Sequence, residues 1–200
     1  MDYYGYAGNI LYVNLSTSEI RKEPLELKIA RDFIGGFGIN NKLAYETMKP
    51  GTEPLSEENP IIIGAGPLIG TFAPGASRVA ATTKEPLTGA ITTACGSMTF
   101  APQLKWAGYD HIVITGKAKH PVYLRVFDDK VELCDASHLW GKDLGEATDE
   151  LKRENREGGV ICIGQGGEIW SPLHLVLLIS WAPWGGEALV RLWVPRSLKR

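Results

Sequence analysis

The chain has 200 residues, 44% of them hydrophobic, and a formal net charge of −2, enough to bury one substantial core or two small ones. A near-neutral charge without a basic run argues against nucleic acid as the main partner, since phosphate contacts need clustered Lys and Arg. The start, MDYYGYAGN, lacks the basic and apolar regions of a signal peptide, and no stretch before residue 172 is long and apolar enough to span a bilayer.

In chain order, ILYVNLSTSEIRKE reads as two strands joined by a polar turn at Ser16 to Ser18, followed by a helix near Leu27 to Ile34. Asn40 to Met48 is expected to be helical, with Leu43, Ala44 and Met48 inward and Pro50-Gly51 as the stop. IIIGAGP is a short apolar strand running into glycines. Phe100 to Ala107 is a short helix ended by Gly108, and HIVITG is a strand. PVYLRVFDDKVELCD is a second hairpin turning at Asp128-Asp129, followed by a helix near Leu144 to Glu154 and by VICIGQGG, another strand ending in glycines. A hairpin, helix and strand unit is thus used twice. Strands and helices are mixed rather than strictly alternating, which predicts an α+β fold with mixed β-sheets and an internal duplication of this unit.

Chemistry concentrates between Ile61 and Ala118. Gly64, Gly66, Gly70 and Gly75, with Pro67 and Pro74 between them, predict irregular backbone with exposed N–H groups. Arg78 is the only cation between Lys49 and Lys84. Such backbone beside one arginine suits close approach to a large anionic ligand; a surface ion pair is the ordinary alternative for Arg78. Thr93-Ala94-Cys95-Gly96-Ser97 reads as a loop whose Cys95, Gly96 and Ser97 amides can bind phosphate, or as a tight turn around a buried thiol. Cys95, Cys134 and Cys162 lie far apart without metal-ligand spacing, which predicts reduced, buried thiols of a cytoplasmic protein. His111, beside Asp110, reads as an ordinary hydrogen-bonded histidine rather than a general base. His138 reads as a capping or packing residue, with Asp135 and Ser137 marking a turn. Lys84 and Lys105 are cations able to help neutralise phosphates of such a ligand, and neither is assigned that role.

The motifs GNILYVNLSTSEI, FIGGFGINNKLAYE, PLSEENPIIIGAGPLIGT, PGASR, TKEPLTGAITTACGS, LKWAGYDHIVITGKA, VELCDASHLWGKD and IGQGGE occur in this order. From about Tyr4 to Glu168 the chain resembles the N-terminal domain of the aldehyde:ferredoxin oxidoreductase family, the tungsten or molybdenum bis-pterin enzymes. The resemblance implies that Arg78 and the Cys95-Gly96-Ser97 segment hold the pterin cofactor. The family commonly has asparagine-serine-glycine-glycine here, the asparagine contacting a phosphate and a magnesium ion between the pterins. Cys95 stands in the asparagine's place and is a poor magnesium ligand. The resemblance further implies oxidation of an aldehyde to its carboxylate, electrons leaving through a [4Fe-4S] cluster to ferredoxin, with the cluster ligands in later domains and with dimers as one arrangement. The competing readings are a nucleotide-binding α/β protein, suggested by GAGPLIG and IGQGGE, and a non-catalytic scaffold retaining the fold.

After Glu168 the resemblance stops, and four of the six tryptophans fall in the remaining stretch. Such a tail could be an amphipathic membrane segment, but back-translation favours a reading-frame break. One base restored before the codons for Ile169-Trp170-Ser171 yields Asn-Leu-Val, common in the family after Gly-Glu. The same shifted frame turns PWGGEALVRLWVPRSLK into Thr-Leu-Gly-Arg-Gly-Gly-Leu-Gly-Ala-Val-Met-Gly-Ser-Lys, the family's next pterin-binding motif. The expectation is a cofactor-binding domain over 1–170 and a frameshifted tail over 171–200, the 200 residues alone being an inactive fragment.

Overall fold

The computed structural model describes residues 4–96, 99–155, 158–168, 176–178 and 187–192. It has an α+β architecture with two sheets. The first hairpin pairs β1 (Asn9–Asn14) with β2 (Glu19–Pro24); Asn14 Oδ1 accepts the Ser16 and Thr17 amides at 2.9 and 3.2 Å and so closes the turn. Then follow α1 (Leu27–Phe33), α2 (Phe37–Thr47) and β3 (Ile61–Ala65). The second helix begins earlier than the apolar pattern predicts, at Phe37 rather than Asn40. Its boundary is set by Gly36, whose φ of 46° breaks the chain between the two helices.

Two strands, β4 (Val79–Lys84) and β5 (Ile91–Gly96), form a hairpin that the sequence pattern does not announce. Cys95 and Gly96 therefore lie in a strand, not in the expected loop. The β-branched run Ile91-Thr92-Thr93 and the pairing with β4 outweigh the small residues that suggest a turn. Then come α3 (Phe100–Trp106), β6 (His111–Thr115), β7 (Val122–Phe127), β8 (Lys130–Asp135), a 3-10 turn at Ser137–Leu139, α4 (Leu144–Glu154), β9 (Gly159–Ile163), α5 (Gln165–Glu168), β10 (Val176–Leu178) and β11 (Glu187–Leu192).

The first sheet has the order β2-β1-β6-β3-β4-β5 and the second β10-β9-β11-β7-β8. Leu11, Val13, Ile63, Ile112 and Ile114 of the first sheet share one core with Leu124, Val126 and Ile161 of the second and with Phe100 and Leu104 of α3. Buried side chains of this kind each contribute roughly 1.5–3 kcal/mol. On its other face the first sheet packs Ile10, Ile62 and Val113 against Ile39, Leu43 and Ala44 of α2. The second sheet likewise packs Tyr123, Val160 and Cys162 against Leu151 of α4.

The duplication is visible in the strand order. From the outer hairpin strand inward, one sheet reads β2, β1, β6, β3, β4 and the other β8, β7, β11, β9, β10. In each, the first hairpin strand and the returning strand flank one inserted strand. The inserted strands run differently: β6 is parallel to β1, whereas β11 is antiparallel to β7.

Candidate functional site

The glycine-rich segments converge at one end of the first sheet. Ala65 pairs with Val79, and Val79 pairs with Gly96. The chain therefore leaves β3 at residue 66, enters β4 from Arg78 and leaves β5 after Gly96 at the same edge. Arg78 is exposed, and among the described residues no carboxylate forms an ion pair with it. Cys95, across from Ala80, is exposed, Cys134 is half-buried and Cys162 is buried. The expectation of three buried thiols thus holds for Cys162 alone: Cys95 and Cys134 lie in β5 and β8, which are edge strands among the described residues. Gly96 is half-buried. Ser97 lies outside the described residues.

Neighbouring loops brace this end. The Gly36 amide donates to Ala65 O at 3.1 Å, and a Cβ on Gly35 would lie 2.9 Å from Pro67 Cδ. Gly70 and Gly75 have φ of 76° and 72°, so the 66–77 loop needs their left-handed backbone. Trp106 Nε1 donates to Gly70 O at 3.3 Å. The Lys105 ammonium, buried beneath, donates to Gly66 O at 3.2 Å and to Gly5 O, and pairs with Asp110 at 3.5 Å. Burial lowers the Lys105 pKa, with Asp110 opposing that shift. Asp110 in turn accepts the Ala7 and Gly8 amides at 3.0 and 2.6 Å. Lys105 thus supports the loop from within, a role legible in the sequence only as LKWAGYD. Lys84 also stays with the fold, donating to Thr52 O at 2.7 Å.

Around this end the surface is apolar. Ile34 (65% exposed), Phe37 (63%), Leu68 (63%) and Phe72 (107%) are exposed apolar side chains on the segments that meet at this end. Two shallow clefts among the described residues, lined by residues that include Asn14, Ser16, Thr47, Glu57 and Thr115, lie at the opposite end of the sheet.

Gly64 differs from the other glycines of its run. A Cβ there would overlap the His111 ring and the Asn40 carboxamide, so it serves packing inside the sheet. His111 is fully buried and its Nδ1 lies 2.8 Å from Asn40 Oδ1, the hydrogen-bonded histidine the sequence predicts. The nucleotide-binding reading does not hold. Gly64 to Gly70 opens no helix, and β3 is antiparallel to both of its neighbours, whereas a dinucleotide fold needs a parallel strand feeding a helix N-terminus.

Residues 10–180 match the family model described as aldehyde ferredoxin oxidoreductase, N-terminal domain. The chain is 42% identical over 167 residues to the tungsten-containing aldehyde ferredoxin oxidoreductases of Pyrococcus furiosus and Thermococcus kodakarensis, covering 82% of this chain and 28% of each relative. It is 34% identical to the WOR-like subunit of an aliphatic sulfonate oxidoreductase from Pyrococcus furiosus, over 82% of this chain and 29% of the relative. Among solved structures, the active site complex BamBC of benzoyl coenzyme A reductase with 1,5-dienoyl-CoA aligns with a TM-score of 0.80 and 38% identity, covering 82% of this chain and 26% of that one. The chain spans little more than a quarter of the length of these relatives. With this match, and with the mixed two-sheet architecture behind it, the chain belongs to the aldehyde ferredoxin oxidoreductase family and comprises that family's N-terminal domain.

Proposed function

We propose that this domain is the base on which a tungsten or molybdenum bis-pterin rests, in a cytoplasmic oxidoreductase that converts an aldehyde to its carboxylate and passes electrons through a [4Fe-4S] cluster to ferredoxin. The observation that carries the reading is the register of β3, β4 and β5, which brings Arg78 and the Cys95-Gly96 backbone to one sheet end beside the 66–77 loop. Arg78 is exposed, and Gly66 and Gly75 have open space where a Cβ would stand. A planar guanidinium and accessible backbone suit a phosphate or the hydrogen-bonding edge of a pterin. Magnesium does not fit at this position, because Cys95 offers a soft thiol where a hard cation needs oxygen.

When bound, the metal–pterin group supplies the redox chemistry. The share of this chain is electrostatic and positional. Arg78 balances phosphate charge, the Cys95 to Ser97 amides donate to it, and Lys105 fixes the loop from beneath. Covering domains would complete the site and shield Ile34, Phe37, Leu68 and Phe72. A homodimer is compatible with this assignment.

The test is an NMR titration of the 200-residue chain with neopterin triphosphate, a soluble phosphate-bearing pterin. Shifts confined to the amides of Gly66, Arg78, Cys95, Gly96 and Ser97, with binding at least about tenfold weaker in Arg78→Gln, a loss of about 1.4 kcal/mol, are expected. Shifts centred on Asn14 and Glu57, or none at all, would refute the assignment.

We infer further that residues 171–200 are read out of frame. The support is topological: in the first repeat the inserted strand runs parallel to the first hairpin strand, and in the second the tail strand β11 fills the equivalent place in the reverse direction. Resequencing the gene across the codons for Gly164 to Arg200 tests this. A restored frame running through the GRGG motif is expected for a sequencing error, and an unbroken run of codons for residues 171–200 in genomic DNA would exclude it.

A further inference from the structure

The 3-10 turn at Ser137–Leu139 and helix α4 bring three ligating side chains together on a surface the pterin base does not use. His138 Nε2 lies 3.0 Å from Glu154 Oε1, and the donor atoms of His138, Glu150 and Glu154 all fall within 4.8 Å of one another. Glu150 and Glu154 share a face of α4 because they are one turn apart. His138 comes from a separate, rigid element: Ser137 Oγ donates to Asp135 Oδ1 at 2.7 Å, and Leu139 behind it is fully buried. The helix is fixed in turn by Leu151 in the core and by an Asp143–Glu146 capping box.

We propose that His138, Glu150 and Glu154 form a surface site for one borderline divalent cation, zinc(II) or cobalt(II) being the class that one imidazole and two carboxylates suit. Tetrahedral ligation at about 2.0–2.2 Å places donor atoms roughly 3.4 Å apart, so rotamer changes alone close the present spread. Two carboxylates neutralise the ion, and the half-exposed His138 and Glu154 side chains leave the remaining positions to water. The bound ion staples the end of the β7–β8 hairpin to α4. The Lys142 ammonium now pairs with Glu150, and the cation takes over that role.

The test is a cobalt(II) titration of the 200-residue chain carrying Cys95→Ser and Cys134→Ser, which removes the accessible thiols as competing ligands. Visible d–d absorption should saturate at one cobalt per chain and be displaced by zinc. His138→Ala and Glu154→Gln should each weaken binding by about tenfold or more. Lys142→Met should tighten it severalfold by removing the competing ammonium, an effect that a purely structural ion-pair cluster would not produce. Circular dichroism of each variant reports folding separately. Absence of saturable absorption, or binding unchanged in both His138→Ala and Glu154→Gln, overturns the site.

Discussion

Asn40, Gly64 and His111 form a buried unit whose polar logic is specific. Asn40 Nδ2 donates to Ala80 O at 2.9 Å and to Ile62 O and Thr82 Oγ1, both at 3.2 Å. Its Oδ1 therefore accepts, and His111 carries its proton on Nδ1. Burial pushes the His111 pKa down to about 3, with the Lys105 ammonium adding to the shift. The unfolded group titrates near pH 6.5, so between those values the unfolded chain binds the extra proton. Stability is then full above about pH 6.5 and falls as pH drops toward about 3, by on the order of 4 kcal/mol. Nitrogen-15 shifts of the ring should report the neutral Nδ1–H tautomer down to pH 4; protonation near pH 6 would show the assignment to be wrong. Gly64→Ala should cost about 3 kcal/mol, read as a lowered urea midpoint, because the new methyl group meets a ring and an amide rather than a flexible chain end. The sequence discloses that His111 is ordinary, but not its partner. Asn40 lies 71 residues away, and Gly64 looks in a linear pattern like Gly66 and Gly70 beside it.

At the scale of elements, legibility follows the strength of the local signal. Helix α4 is legible to the residue, because its apolar face is periodic and Asp143 caps it by accepting the Glu146 amide at 2.8 Å. Asp143→Ala should lower stability by about 1 kcal/mol, measurable as a shifted denaturation midpoint with unchanged slope. Strands β4 and β5 are hidden because VAATTK and ITTACG lack alternation and gain their state from pairing with each other. That pairing leaves β5 at the sheet edge with Ile91, Thr92, Ala94 and Cys95 exposed and no charge among its residues. The edges at β2 and β8 instead carry Glu19, Arg21, Lys22 and Glu23, and Lys130, Glu132 and Asp135, the protection an open edge needs. An uncharged open edge should recruit strands from other copies. Thr92→Lys is therefore expected to reduce self-association in light scattering while leaving the circular dichroism spectrum unchanged; equal association would locate the sticky surface elsewhere.

For the whole molecule, two like sheets face each other across one core, each backed by its own helix. Strand β6 enters the gap of the first sheet after α3 has crossed the core, and pairs in parallel with β1 over Ile10 to Asn14. The duplicated order calls for a strand in the second gap running parallel to β7, and the tail after Glu168 supplies one that is antiparallel. The sequence discloses the two hairpin units, but the inserted strand of each comes from outside its unit, so their shared plan emerges only from the sheet order. If the tail is out of frame, β11 holds its place less firmly than β6 does. Hydrogen exchange read by mass spectrometry should then show the amides of 122–127 and 159–163 exchanging at least about tenfold faster than those of 10–14 and 111–115. In a chain carrying the restored frame the two sets should slow to similar rates. Equal protection in the 200-residue chain would mean that β11 is a native strand and the frame intact.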